Sequence, residues 1–258
     1  MQDDYRPILF DTDGRFDEIE VIPIHDLHVG NKCFSEKLWY KMKKYILERE
    51  NRFVIFAGDM MENAIPGSKS DVFTQKMNPY EQKEFFAEQL ADLKGRVLCI
   101  TDGNHERNRS TKSCGLYPLY DCAQIAGIPE VYRPHFAFID IGVGSGGHGD
   151  GKQVHYVGYV IHQAKDLKNF SSADTIDGID FMVYGHDHDP KDHPRSKLCY
   201  DAKNKFVTQK DVEVINCGSY MNYGGYAADG AYRPLASKKY SLILDGKTKS
   251  VSTRGFHL

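Results

Sequence analysis

At 258 residues, 41% hydrophobic and 27% charged, the chain is long enough to bury a sizeable core and has the composition of a soluble globular fold. A formal charge of −3 and a pI near 6.4 exclude a protein that coats nucleic acid by bulk charge, although a local basic groove stays compatible with them. No run reaches the length of a membrane-spanning helix, and the opening MQDDYRPILFDTDG lacks a basic segment followed by an apolar one, so neither a membrane nor a secretory leader is expected. Six scattered cysteines without a CxxC pair indicate a reducing, cytoplasmic setting, with Cys99 and Cys217 read as small buried thiols.

The first core strand is expected over 20–24, ending at His25-Asp26-Leu27-His28-Val29-Gly30. Leu38, Met42, Tyr45 and Ile46 recur at helical spacing and predict a helix over 35–50, with Ser35 as its N-cap. The apolar run 53–57 reads as a strand buried on both faces and breaks at Gly58-Asp59. A second helix is expected from Pro79, through Phe85, Phe86, Leu90 and Leu93, to a stop at Gly95. The strand 96–101 then runs into Asp102-Gly103-Asn104-His105-Glu106, completing β-α-β-α-β order with polar residues after each strand. The glycine-dense stretch 142–151 between two strand-like runs is expected to be a flexible hairpin tip. Further strands are expected at 154–162, 180–184, 212–217 and 240–244, with little helix. The fold class is therefore α/β, two packed mixed β-sheets flanked by helices, in a single domain spanning 1–258.

Five polar clusters stand at strand ends: Asp26-Leu27-His28, Gly58-Asp59, Gly103-Asn104-His105-Glu106, His162, and Gly185-His186-Asp187-His188. Singly, each reads as well as a turn or a satisfied core histidine. Together they supply carboxylates, an amide oxygen and imidazoles, the mixed set that suits Mn²⁺, Fe²⁺, Zn²⁺ or Ni²⁺, and contain no thiolate of the kind structural zinc sites use. On an extended strand end, residues two apart face the same way, so both side chains of DxH or HxH can face one metal cluster.

In this order the motifs resemble those of the calcineurin-like metallophosphoesterase superfamily: DxH, GDxx(D/E/N), GNH(D/E), a lone His, then GHxH. The match runs from Asp26 to His188 with every position filled. The resemblance implies two divalent metal ions, Mn²⁺ first among the candidates. Asp26, His28 and His188 would hold one ion, Asn104, His162 and His186 the other, and Asp59 would bridge both. A hydroxide held between the ions would attack phosphorus, with His105 protonating the leaving oxygen. Glu62, in the acid position after GDxx, would hydrogen-bond His105 and keep it protonated, or else be a solvated loop carboxylate. Asn104 is expected to contact the substrate phosphate, and Arg107 and Arg109 could each do so or be ordinary surface charges, the surface reading being preferred for Arg109. His25, where relatives more often carry a small residue, is expected to point away from Asp26, either supporting the metal ligands from behind or serving a buried structural role.

Glu62 stands where purple acid phosphatases carry tyrosine, which speaks against a redox iron site. Asn63 stands where Ser/Thr protein phosphatases carry a phosphate-binding arginine. Segments 51–54, 70–72 and 103–107 are more similar to single-domain members from bacteria, phages and prophages. The tyrosine-rich loop with Tyr223, Tyr226 and Tyr232 either covers a sheet edge or stacks a base, which tilts the expected substrate towards a phosphodiester of a nucleotide or nucleic acid. The rivals are a phosphomonoesterase and a scaffold that keeps the fold without catalysis.

Overall fold

A computed structural model describes residues 5–68, 70–144, 153–163 and 172–258, with the Ser172 and Tyr226 side chains outside this set. β1 (Ile8–Asp11) precedes β2 (Glu18–Ile24), α1 (Glu36–Leu47), β3 (Arg52–Ala57), α2 (Pro79–Asp92) and β4 (Val97–Thr101). A short helix α3 (Asn104–Glu106), a π-helical turn over Arg107–Thr111 and α4 (Lys112–Cys114) lead into α5 (Pro118–Ala126) and β5 (Tyr132–Arg133). The second half holds β6 (Phe136–Val143), β7 (Val154–Ile161), α6 (Ser172–Thr175), β8 (Phe181–Val183), β9 (Lys191–Asp192), β10 (Arg195–Asp201), β11 (Phe206–Asn216), α7 (Tyr226–Asp229), β12 (Lys239–Asp245) and β13 (Val251–Phe256).

Two sheets result. One runs β13-β12-β2-β3-β4-β5 and the other β1-β6-β7-β8-β11-β10, with β9 also paired to β11. β2, β3, β4 and β5 are mutually parallel, as α-helical crossovers require, while β12 joins antiparallel. Alternation along β3 sorts its side chains between two cores. Phe53 and Ile55 pack between the sheets with Ile139, Ile141, Phe181 and Ile215, whereas Val54 and Phe56 pack outwards under Trp39, Met42, Phe86 and Leu90 of α1 and α2. A third cluster, Tyr159, Ala173, Ile179, Met182 and Val214, covers the far face of the second sheet. The layers are α/β/β/α, as the alternating and helical periods of the sequence require.

α2 begins as expected, with Pro79 in the first turn and Asn78 completing a capping box with Glu81. Ser35 occupies the N-cap of α1 but its side chain caps nothing; its backbone N–H instead donates to the Tyr220 carbonyl, tying α1 to the loop after β11. The helix α5 falls outside the elements read from the sequence, because Tyr117 and Pro118 open it without a side-chain cap. Of the glycine-dense stretch 142–151, only 142–144 lie among the described residues, and there Gly142 and Val143 end β6. Among the described residues no helix is long and apolar enough to cross a membrane.

Candidate metal centre

The clusters meet where β2, β3 and β4 end beside the end of β7 and the loop after β8. Asp26 N–H donates to Gly58 O, His28 N–H to Asp59 O, and Gly185 N–H to His162 O, so the loops are stitched together through backbone. Two glycines make this approach sterically feasible. A Cβ on Gly103 would lie 2.0 Å from Asp59 Oδ1, and one on Gly58 would lie 2.6 Å from the Gly103 nitrogen. The GD and GN pairs are thus packing requirements as well as turn signals.

Asp26, His28, Asp59, Asn63, His186 and His188 all adopt positive φ, between 48° and 79°. Left-handed backbone is costly for residues with a Cβ and concentrates at functional sites. The expectation of an extended strand end at DxH and HxH is therefore corrected: the paired side chains converge through left-handed turns, not through the pleat. The same geometry overturns the expected orientation of His25. With Asp26 left-handed, the His25 ring turns back so that its Nδ1 lies 2.7 Å from Asp26 Oδ2, while its Nε2 accepts the Cys217 N–H at 2.8 Å. His25 is fully buried, as a structural role requires, but it supports Asp26 directly.

Each aspartate commits one oxygen to the protein and leaves the other facing inwards. Asp26 Oδ2 accepts from His25 and from the His186 N–H at 2.9 Å, leaving Oδ1 3.2 Å from His188 Nε2 and 3.5 Å from His28 Nε2. Asp59 Oδ1 accepts the His105 N–H at 2.8 Å, leaving Oδ2 3.1 Å from His162 Nε2. His162 donates Nδ1–H to Ala57 O at 2.8 Å, which turns its other nitrogen towards Asp59. His28 Nε2 and His188 Nε2 face each other at 3.1 Å, an arrangement of two basic nitrogens that a shared cation would stabilise. Asp26 Oδ1, Asn104 Oδ1 and His162 Nε2 are buried and form no hydrogen bond among the described residues.

Donor atoms of Asp26, His28 and His188 lie within 4.8 Å of one another, as do those of Asp59, His162 and His186. These two clusters, made of hard oxygens and imidazoles, fit divalent cations and point to a site for two metal ions. His28, Asp59 and His105 form a third close group, but both nitrogens of His105 are engaged: Nδ1 lies 2.9 Å from Glu62 O, and Nε2 lies 3.0 Å from Arg109 Nη2. A guanidinium against Nε2 would repel a cation bound there.

The surroundings correct two expectations. Glu62 is 2% exposed, so it is no solvated loop carboxylate; its Oε2 lies 3.3 Å from His28 Nδ1 and 3.8 Å from His105 Nδ1. Of the two histidines its carboxylate lies nearer His28, and it also pairs with Arg109, while its main-chain carbonyl accepts the hydrogen bond from His105. Burial pushes the His105 imidazole down to about 4; the Asp59 and Glu62 carboxylates oppose that fall, while His28 and Arg109 add to it. Arg109 is no ordinary surface charge: its side chain is 11% exposed and bonds both the carbonyl and the carboxylate of Glu62. The half-buried Arg107 donates Nε–H to Gly103 O at 3.2 Å.

One structural residue was hidden inside a motif. Glu106 accepts backbone N–H groups from Asp59, Met61 and Gly103 at 2.9 to 3.1 Å, clamping the GD loop to the GNHE loop. Its place after GNH was visible; its partners were not. Tyr220 N–H donates to Asp26 O, anchoring the tyrosine loop beside the centre. Tyr223 is exposed with its hydroxyl bonded to Tyr232 O, while the Tyr226 side chain lies outside the described residues.

Burial would lower the His162 imidazole, yet Asp59 and Asp26 outweigh it and raise it to about 9; His28 is likewise held well above its ordinary value by Asp26 and Glu62. For His162 the raised value stabilises the metal-free fold below its unfolded value of 6.5, and that contribution is lost as pH rises through about 9. A cation needs the neutral imidazole, so metal binding near neutral pH is expected to expel about one to two protons per chain and to tighten as pH rises. Calorimetry of Mn²⁺ binding in buffers of different ionisation enthalpy reads this directly, and a buffer-independent heat would contradict it.

No family model matches the sequence. The chain is 25% identical over 133 residues to the DNA polymerase II small subunit of Thermoplasma acidophilum, covering 48% of this chain and 25% of that protein. It is 23% identical over 192 residues to the DNA polymerase II small subunit of Halobacterium salinarum, covering 71% of this chain and 30% of the relative. The chain thus spans a quarter to under a third of the length of these curated relatives. Among solved structures, it is similar to the crystal structure of the calcineurin-like phosphoesterase YfkN from Bacillus subtilis, with 12% identity, 93% and 90% of the two chains covered, and a TM-score of 0.44. The motif order, the two-sheet architecture and the meeting of the motifs at one point resemble those of the calcineurin-like metallophosphoesterase superfamily.

Proposed function

We propose that this chain is a single catalytic domain that hydrolyses phosphate esters, with phosphodiesters of nucleotides or nucleic acid as its substrates. The reading is carried by the arrangement around Asp59, where the buried Asp26 Oδ1, Asn104 Oδ1 and His162 Nε2 form no hydrogen bond among the described residues. Asp26, His28 and His188 are assigned to one ion, Asn104, His162 and His186 to the other, and Asp59 to both. Mn²⁺ is favoured, with Fe²⁺, Zn²⁺ and Ni²⁺ fitting the same donors. Such a pair of ions supplies Lewis acidity and lowers the pKa of water. Asn104, through its amide, and Arg107 are assigned to the phosphate, and His105 Nε2 carries the proton that leaves with the alcohol when the ester P–O bond breaks.

The nucleic-acid preference draws on the exposed Tyr223 ring and on the relatives named as DNA polymerase subunits. The alternative, a phosphomonoesterase on nucleotides or phosphoproteins, is favoured by one observation: a further guanidinium stands beside His105. Mn²⁺-loaded protein is expected to cleave a bis-aryl phosphate and a short single-stranded DNA. Cleavage of a mono-aryl phosphate alone would replace the diester reading with the monoester one, and cleavage of none of the three would leave a binding scaffold.

A further inference from the structure

We infer that Arg109 is the guanidinium that binds the substrate's phosphoryl oxygen, and that it does so by exchanging His105 for the phosphate. The inference rests on the phosphoesterase reading above. His105 and Arg109 are four residues apart on one continuous helical face, and the π-helical turn at Arg107–Thr111 sits at this step. Arg109 Nη1 is held by Glu62 through both its carbonyl and its carboxylate, which fixes the plane and direction of the guanidinium. Nη2 then points at His105 Nε2, 3.0 Å away, and that nitrogen lies 3.7 Å from Asp59 Oδ2.

A neutral imidazole nitrogen is a weak partner for a guanidinium. A phosphoryl oxyanion forms the charge-assisted bond that this donor makes best. A phosphate set against the centre would therefore draw Nη2 from His105. That exchange has a second consequence. With Nδ1–H directed at Glu62 O and Nε2 accepting from Arg109, the ring has no proton to give at the nitrogen facing the site. Release of Nη2 frees the Nε2 lone pair to take up a proton from water and pass it to the leaving oxygen. Position 63, where a related class carries a phosphate-binding arginine, is Asn63 here, and its Nδ2 is spent on Ser110 Oγ and the His105 carbonyl. The cation therefore comes from after the GNH motif. The recognised chemistry is the phosphoryl oxyanion common to mono- and diesters.

The test uses Mn²⁺-loaded wild type, Arg109→Ala and Arg109→Lys. Calorimetric titration with inorganic phosphate and, separately, with dimethyl phosphate reads anion affinity without turnover. Arg109→Ala is expected to weaken phosphate binding about tenfold to a hundredfold at unchanged metal content, with Arg109→Lys recovering part of the loss. Equal losses for the two anions assign the contact to an oxygen that both ester types present; a loss confined to inorganic phosphate assigns it to a terminal phosphate. Unchanged affinity for both anions in a folded, metal-loaded Arg109→Ala would overturn the inference. Should Arg109→Ala not fold, Arg109→Lys decides: wild-type affinity for both anions together with an unchanged KM overturns it. Aryl esters left intact by wild type would instead refute the phosphoesterase reading, with the anion titration still judging Arg109.

Discussion

Asp59→Asn is expected to reduce bound metal from two ions to at most one per chain and to lower kcat/KM by about 10³-fold or more, because losing a bridging ligand removes one ion's several kcal/mol of charge stabilisation. The substitution is chosen to spare the fold. Asp59 Oδ1 accepts the His105 N–H, which an amide oxygen replaces, whereas Oδ2 faces His162 and would become an NH₂ group that no cation accepts as a ligand. The metal-free variant should melt below the metal-free wild type, because it loses the buried Asp59–His162 pairing, and the stabilisation that wild type gains on adding Mn²⁺ should shrink. Elemental analysis beside thermal melts checks both. Two ions retained at wild-type activity would remove Asp59 from the centre of the site.

His105→Ala is expected to behave in the opposite sense, keeping both ions while kcat falls by about 10² to 10⁴-fold, the range for loss of a positioned general acid. The structure supports that separation, since Nδ1 is committed to the Glu62 carbonyl and Nε2 to Arg109. A substrate with a good leaving group needs little protonation, so the deficit should be smaller for a nitrophenyl ester than for an alkyl ester. Metal lost from His105→Ala would mean that the close group of His28, Asp59 and His105 is a ligand set after all. A deficit independent of the leaving group would remove His105 from proton transfer.

These expectations depend differently on sequence and on tertiary structure. Periodicity sufficed for the layers: the fully apolar run in β3 required packing on both faces, and the spacing of Leu38, Met42, Tyr45 and Ile46 required a helix with one buried side. The structure, however, buries Trp39 with Met42 and Ile46 and leaves Leu38 and Tyr45 half-buried. The ligand candidates were legible because metal chemistry restricts them to few residue types, and because each followed a strand in an open α/β order. Glycines at positions 58 and 103 were legible as turns, although their closer constraint, the contact of the two loops, was not.

What needed the fold were orientations and partners. Alternation along a strand predicts where side chains point only while the backbone stays extended; the left-handed turns at Asp26 and His28 broke that rule and brought His25 onto the carboxylate it was expected to avoid. Glu62 sits close in sequence to one loop and within reach of two histidines, and distance alone, 3.3 Å against 3.8 Å, chose His28 for its carboxylate. Arg109 looked like a solvated charge because local sequence does not record that a buried acid 47 positions earlier folds beside it. The sequence by itself determined which atoms were offered to a pair of cations and in what order along the chain. The tertiary structure decided which of those atoms face inwards, because hydrogen bonds between distant loops select one oxygen of each aspartate and one nitrogen of His162.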